Sequence, residues 1–543
     1  MIIGYIMVSL SKIATKINFF QKNISIKPLS LGSKNGYAEL TKYGQCPQKY
    51  AIKIDSARGN ILVPEHSINA IKELHTGYVR IAESVIDRDG LDGKILLPFR
   101  NDMGNTKVFH GKLIEHIAVT LTKNKGITLK DAKKYIGQEF KVAAVKYRND
   151  MTWNKVETKF EHNNKEYHCS LTPAGEMTRG HEKKDIFAHS YGNKGICSAS
   201  TTETKHATNL WMSEISASGE GDNKETLFKG IRHGVLSPYG LKNNDPERQA
   251  GALARAKEVV TAALYAKPDL LEQAFDGIEV PLQIVSTSLL TPSNLGGEDK
   301  MQEDQIMAWQ SLSGQSPVIL TVRGESGEER QVKVNLQVVA LNFGVNELTL
   351  KFGLGQSASD KNNDQALKVL LGSDLKSTSP LGGMVAEYLK NKPENSQKVM
   401  ELSQQLKQIL ENKSHHSDGG EPYKAAQRVT MLAYEIGAVP CWNCKSGKDR
   451  TGMLDAEIKR EVVSQHQGQP LSKPNASLSD NNKNIFQKVL INGGNLEVQA
   501  YNTGAQGNKV LKKLPLSVMN LSYGERIGNR NVWKEAQGLS GRV

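Results

Sequence analysis

The sequence predicts an α+β protein: a small, mainly helical N-terminal domain, then a larger α/β domain in which a Cys-x5-Arg run opens a helix. Three observations carry this expectation. Apolar residues recur at helical spacing before residue 160, strand-like runs gather between 280 and 340, and residues 439–463 pass from an apolar run through Cys444 and Arg450 into a helix-compatible stretch.

Taken in order, residues 1–36 mix Lys, Ser, Asn and Gly without period and read as a mobile leader. Its apolar start, Met1 to Val8, lacks a preceding basic region and a small-residue cleavage site, so it does not read as a Sec signal. In 37–160, Leu113, Ile114, Ile117 and Leu121 keep helical spacing, and Thr128 with Asp131 marks the start of a second helix. Residues 161–543 form the larger domain. There the pattern predicts a helix over 247–265, a strand over 282–286, and a hairpin from strands 318–322 and 332–339 joined by a charged turn at 324–329. Helices follow over 382–391, 396–412 and 423–436, and the polar, Pro- and Ser-rich stretch 464–484 reads as an exposed insertion.

Composition narrows the partners. With 543 residues, two to four folding units are expected at roughly 150 residues per domain. The 70 Lys and Arg against 57 Asp and Glu leave a charge of +13, which favours phosphate-bearing partners: nucleic acid, an anionic membrane or a polyphosphorylated small molecule. Basic runs interleaved with aromatics are missing, so nucleic acid is set aside. Five cysteines in so long a chain do not form a disulfide framework and point to a reducing compartment. No stretch reaches 18 apolar residues, so membrane contact, if present, is peripheral.

The chemistry concentrates at Cys444-Lys445-Ser446-Gly447-Lys448-Asp449-Arg450-Thr451. Five residues between Cys and Arg let a backbone curl into a cup of N–H groups around one phosphate, and Gly447 permits the positive φ such a curl requires. A helix starting near Thr451 would add its positive end, favouring the thiolate of Cys444 as nucleophile. Arg450 offers a planar fork for two phosphate oxygens, and Thr451 would hydrogen-bond the sulfur or the loop. Lys445 and Lys448, with the Ser446 and Gly447 backbone, would hold substrate phosphate and favour polyphosphorylated substrates. Asp449 is a candidate general acid for the leaving oxygen, with capping the turn or pairing with lysine as its other readings.

Other patterns are weaker. Cys441-x-x-Cys444 has redox or zinc spacing but no second pair, leaving Cys441 as a candidate partner for oxidised Cys444. Arg232-His233-Gly234 imitates the histidine phosphatases without their partner motifs and reads as chance or structure. His415 and His416 have no Asp or Cys at ligand spacing, so no metal and no cofactor is expected. A Cys–His protease would leave Arg450 and the lysines unexplained.

The run from Cys444 to Met453 resembles the active-site run of the type III-secreted inositol phosphate phosphatases of the SopB and IpgD kind, and its core that of host inositol polyphosphate 4-phosphatases. Asn342-Phe343-Gly344-Val345-Asn346-Glu347-Leu348 resembles a second motif of that family, with Asn342, Asn346 and Glu347 as supporting residues or as a structural turn. The resemblance covers most of 160–543. It implies a bacterial effector, exported into a host cell and acting at its membranes, that hydrolyses phosphoinositides such as phosphatidylinositol 4,5-bisphosphate at the 4-position, or inositol polyphosphates, through a phosphocysteine. It also implies a synaptojanin-like segment at about 500–530, where Lys512 would contact phosphate. A Rho-family GTPase of the cell-division-control kind would bind 37–160, and an export chaperone the leader. The alternatives are phosphotransfer between inositol hydroxyls on the same cysteine, and an effector whose main role is GTPase binding.

Overall fold

The apolar runs of the second half of the chain become strands of one sheet, burying alternate residues towards its edge and both faces at its centre. The computed structural model describes residues 51–56, 59–64, 118, 128–179, 184–219, 223–292, 297–324, 326–345, 356–416, 422–474, 476–503, 506–511 and 523–538. The chain divides into two compact units, 1–146 and 147–543.

In the first unit, β1 (Ala51–Ser56) and β2 (Gly59–Pro64) pair as an antiparallel hairpin. The stretch expected to be mainly helical therefore also contains strands. The helix announced by Thr128 is α1 (Leu129–Asp150). Asp131 N–H donates to the Thr128 hydroxyl oxygen at 3.2 Å, and that hydroxyl donates to the Asp131 carboxylate at 2.8 Å, so the pair closes the first turn. The helix crosses the division between the units, and β3 starts at Val156, so sheet structure begins before residue 160. Of the expected helix around 113–121 only Ala118 is described, within a helix. The leader lies outside the described residues.

The second unit is built on eight strands: β3 (Val156–His162), β4 (Lys165–Pro173), β5 (Trp211–Ser218), β6 (Lys224–His233), β7 (Val280–Ser288), β8 (Val318–Arg323), β9 (Glu329–Asn342) and β10 (Val439–Asn443). Their spatial order is β3-β4-β5-β6-β10-β7-β9-β8. Strands β6, β10, β7 and β9 run parallel, while β3 to β6 and the β8–β9 hairpin are antiparallel. All five residues of β10 are buried, as a central strand covered on both faces requires.

Helices α2 (Pro246–Tyr265), α3 (Pro268–Phe275) and α4 (Asp299–Ser313) cover one face, where Val259, Leu264 and Trp309 pack with Ile284, Val439 and Cys441. Asp245 caps α2 by accepting the Glu247 N–H at 3.0 Å, and Pro246 takes the first helical position, where no intrahelical donor is needed. The other face is covered by α5 (Gln356–Leu371), α6 (Gly383–Leu389), α7 (Ser396–Glu411), α8 (Lys424–Glu435), α9 (Asp449–His466) and α10 (Asp480–Asn492), packed around Leu402, Val429, Trp442, Met453 and Phe486. Short helices α11 (Asn495–Thr503), α12 (Tyr523–Ile527) and α13 (Arg530–Gln537) follow.

Residues 464–484 overlap the ends of two helices and the connection between them, in which Gly468 to Pro470, Lys473, Ala476 and Ser477 are exposed. Ser464 to His466 complete α9, Asp480 begins α10, and Leu471 and Leu478 between them are buried in the core. Arg428 and Glu461 anchor the connection through Ser472: the guanidinium donates to its carbonyl at 2.7 Å, and the carboxylate accepts its N–H at 2.7 Å. The connection is exposed along much of its length and pinned to the core at Leu471, Ser472 and Leu478.

Candidate active site

The chain leaves the sheet at the carboxyl end of β10, between the ends of β6 and β7, where open α/β sheets form their ligand crevice. Asn443 fixes the departure point. Its side-chain amide exchanges two 3.0 Å hydrogen bonds with Gln305 of α4, and its carbonyl accepts the Leu289 N–H at 2.8 Å. Residues 444–448 then turn the chain into α9, with Gly447 at a φ of +65°. A Cβ there would sit 2.5 Å from Gly234 N and from the His233 carbonyl group, so both the dihedral and the close approach demand glycine.

The loop carbonyls are tied outward. Lys445 O accepts the Val235 N–H at 3.3 Å, Ser446 O accepts Asn209 Nδ2 at 3.2 Å, and Gly447 O accepts Asn209 Nδ2 at 2.8 Å and Arg232 Nη2 at 3.2 Å. By contrast, the N–H groups of Lys445, Ser446, Lys448, Asp449 and Arg450 donate to no acceptor among the described residues. A loop with its carbonyls engaged and its amides uncommitted, at the positive end of an 18-residue helix, suits an anion.

Cys444 is buried at the start of this loop. Burial by itself would push its thiol up, but the Arg450 charge and hydrogen bonding from Thr451 outweigh it and hold the thiol below its ordinary range. The Thr451 hydroxyl oxygen is buried and makes no formal hydrogen bond, yet it lies close enough to the sulfur to help lower the thiol. Arg450 is held in turn: Nη1 donates to Leu289 O at 2.8 Å and to Glu298 Oε2 at 3.0 Å, and Nη2 donates to Glu298 Oε1 at 2.5 Å. Glu298 is itself fixed by the Thr291 N–H at 2.8 Å. Because the carboxylate occupies the end of the guanidinium, the Nε–H and the second Nη2–H remain as a side-on fork without a partner among the described residues.

The remaining expected residues fall into three groups. Ser446 Oγ lies 3.8 Å from the Cys444 sulfur, the Lys445 ammonium sits 4.8 Å over the Tyr239 ring, and Lys448 Nζ donates to Asp449 Oδ2 at 2.5 Å. Asp449 is surrounded by donors: besides Lys448, its Oδ1 accepts from Gln499 at 3.2 Å and from the Lys509 N–H at 2.9 Å, and its carbonyl accepts from Asn508 at 3.0 Å. Of the supporting motif, Asn342 ends β9 two strands from β10, its backbone clamped by Asn363 and both its side-chain polar atoms buried without a partner. Asn346, Glu347 and Lys512 lie outside the described residues. Cys441 is not placed to bridge Cys444: it belongs to the apolar cluster on one face of the sheet and Cys444 to that on the other, and burial pushes its thiol well up.

Three residues outside the motif complete the geometry. Glu298 carried no local signal, because it lies 152 positions from the arginine it orients. Asn209, at a φ of +52°, is held by the Trp211 indole and Asn502 while its amide spans two loop carbonyls. Arg232, in the run that imitates a histidine phosphatase, is fully buried under the loop and also donates to Asn495. His233 beside it is buried, its ring pushed down to about 4 by desolvation, so it is neutral at physiological pH.

Residues 98–543 match the family model described as enterobacterial virulence protein IpgD. The chain is 45% identical over 497 residues to the inositol phosphate phosphatase SopB of Salmonella typhi, covering 88% of this chain and 87% of that one. It is 48% identical over 414 residues to the inositol phosphate phosphatase IpgD of Shigella flexneri, covering 76% of each. Among solved structures the fold resembles SidF, a Legionella phosphoinositide phosphatase, with a TM-score of 0.52 at 12% identity, covering 88% of this chain and 87% of that one.

Proposed function

The chain belongs to the family of the enterobacterial virulence protein IpgD, and on that premise we propose that it is a cysteine-dependent phosphatase of inositol phosphates and phosphoinositides. One observation carries the reading furthest: a buried cysteine whose thiol is held down, at the mouth of a loop that leaves five amides and a guanidinium fork uncommitted. In the proposed reaction the Cys444 thiolate attacks phosphorus and the bond to the inositol oxygen breaks. That oxygen leaves with a proton, giving phosphocysteine. Water then attacks phosphorus, releasing inorganic phosphate and restoring the thiolate. The loop amides and the Arg450 fork stabilise the charge spread over the equatorial oxygens in both steps.

Lys445, stacked on Tyr239, places positive charge beside the loop, which supports a polyphosphorylated substrate, while the Lys448 charge is paired with Asp449. Asp449 accepts from three donors, an arrangement that supports organising the loop better than delivering a proton, so the general acid is assigned to a donor outside the loop, with solvent included. Kinship with enterobacterial virulence proteins supports delivery into a host cell by type III export, with the host membrane surface as site of action. The GTPase and chaperone expectations fall on residues mostly outside those described.

The test is phosphate release from a panel of phosphoinositides and inositol polyphosphates by wild-type and Cys444→Ser protein, with products resolved by isomer. Loss of release in the variant with a unique product isomer, expected to lack the 4-phosphate, supports the reading. Equal release by both proteins would sink it. A new bisphosphate isomer appearing without free phosphate would favour transfer over hydrolysis.

A further inference from the structure

The two histidines after α7 have an acidic partner that their sequence position hides. Helix α5 delivers Asp360 from 55 positions upstream, placing its Oδ1 3.1 Å from His415 Nε2. The same carboxylate lies 3.0 Å from His416 Nε2 through Oδ1 and 2.9 Å through Oδ2. One ligand atom from each residue lies within 4.8 Å of the others. The absence of a ligand at local spacing, which argued against metal at His415 and His416, is made good by the fold.

Both rings present the same nitrogen, Nε2, to one carboxylate. As a purely hydrogen-bonded cluster this requires a proton on each Nε2, with two imidazoles 4.3 Å apart sharing one acceptor. The buried Nδ1 of His415 then makes no formal hydrogen bond. Coordination accounts for the convergence differently. A tetrahedral ion about 2.0–2.1 Å from each ligand atom sets neighbouring ligands roughly 3.3 Å apart, close to the separations around Asp360. The Nε2 lone pairs then face the ion, and each Nδ1 keeps its hydrogen.

We infer that Asp360, His415 and His416 form a site for a divalent ion of the zinc class, with three protein ligands and a fourth position left to solvent. Two histidines and a carboxylate are a donor set that zinc takes readily. The ion would tie the first turns of α5 to the turn at Ser414–His416 that closes α7. His415 packs edge-on against Phe343, the residue after β9, with ring centroids 5.9 Å apart. The brace therefore sits at the carboxyl rim of the sheet, two strands aside from Cys444, and takes no part in the thiol chemistry.

The experiment uses the full chain carrying Cys444→Ser, which removes the reactive thiol as a competing ligand. After chelation and dialysis the protein is titrated with Co2+ and followed by visible absorption. One equivalent should produce the intense bands of tetrahedral cobalt, and Zn2+ should abolish them. Asp360→Asn and His416→Gln should each lose the bands while keeping the far-UV spectrum of the parent. At free Zn2+ one hundred times its Kd, the folding equilibrium of the parent should shift about 100-fold towards the native state, with no shift in either variant. Failure of the parent to develop tetrahedral bands, or bands that persist in both variants, overturns the inference. His416 is only partly buried, so its variant serves if Asp360→Asn fails to fold.

Discussion

Glu298→Gln tests whether the orientation of Arg450 is a separable contribution to catalysis. In the wild type, Glu298 takes two charge-assisted hydrogen bonds from the guanidinium and one from the Thr291 N–H, and its side chain is almost fully buried. Glutamine keeps one oxygen acceptor but turns a second N–H donor against Arg450. The loss is about one charge-assisted hydrogen bond, roughly 1.5–3 kcal/mol. If that energy holds the side-on fork towards the phosphate, kcat should fall by about 10- to 150-fold, at about 1.36 kcal/mol per decade. The effect belongs in kcat more than KM, because the fork is stretched tightest across the transition-state oxygens. The assay is steady-state phosphate release from a soluble short-chain phosphoinositide, normalised to folded protein by thermal melting. Wild-type kcat in a variant with a lowered Tm would assign Glu298 to stability alone and refute the reasoning.

Three further outcomes follow from the same geometry. Gly447→Ala should reduce phosphate release by at least 100-fold, because the new Cβ would meet backbone atoms of His233 and Gly234 at 2.5 Å and force the loop from its +65° φ; unchanged kinetics would show that the loop has room to shift. Asp449→Asn should reduce turnover of inositol phosphates and of p-nitrophenyl phosphate by similar factors if the carboxylate organises the loop. A loss confined to inositol phosphates, whose poor leaving group needs a proton, would restore it as the general acid. Burial alone would raise the Glu457 carboxyl, but Arg526 and Arg460 hold it at about 2 against an ordinary 4.5. A depressed carboxylate contributes stability above its unfolded value that is lost as pH falls through its folded value, so Glu457 contributes about 3 kcal/mol above pH 4.5 that disappears towards pH 2. Glu457→Gln should flatten that part of the acid unfolding curve measured by circular dichroism; an acid limb identical to wild type would contradict the ion pair's role.

Much of the site was legible because its chemistry is local. Cys444, Gly447, Arg450 and Thr451 lie within eight consecutive residues, and the need for a thiolate, a positive φ and a guanidinium fixes their types. The β8–β9 hairpin was equally legible, since β8 buries alternate residues. What stayed hidden was everything supplied at long range. Glu298, Asn209 and Arg232 meet the loop from 152, 238 and 215 positions away, and no periodicity marks a residue whose partner is defined only by the fold. Burial also added what local pattern could not give. The polar stretch 464–484 is knit into α9 and α10, and the Cys-x-x-Cys spacing puts its two sulfurs into different cores.

The position of Asp449 makes the C-terminal region part of the site. Its carboxylate accepts the Lys509 backbone N–H and its carbonyl accepts the Asn508 amide, while Gln499 of α11 reaches the same side chain. Arg526 of α12 closes a second link by donating to Glu457, two turns further along α9. The helix that carries the loop is therefore gripped at its first turn and at its middle by residues beyond 495. A chain cut before Asn495 would retain Cys444, Arg450 and Glu298, but Asp449 would lose two of its three side-chain donors, Glu457 would lose its Arg526 partner, and Arg232 would lose Asn495. The uncommitted amides depend on a loop held from both sides, by β6 underneath and by this C-terminal segment around its acidic residue. Lys509 enters the site through its backbone N–H, which no change of its side chain other than to proline would remove.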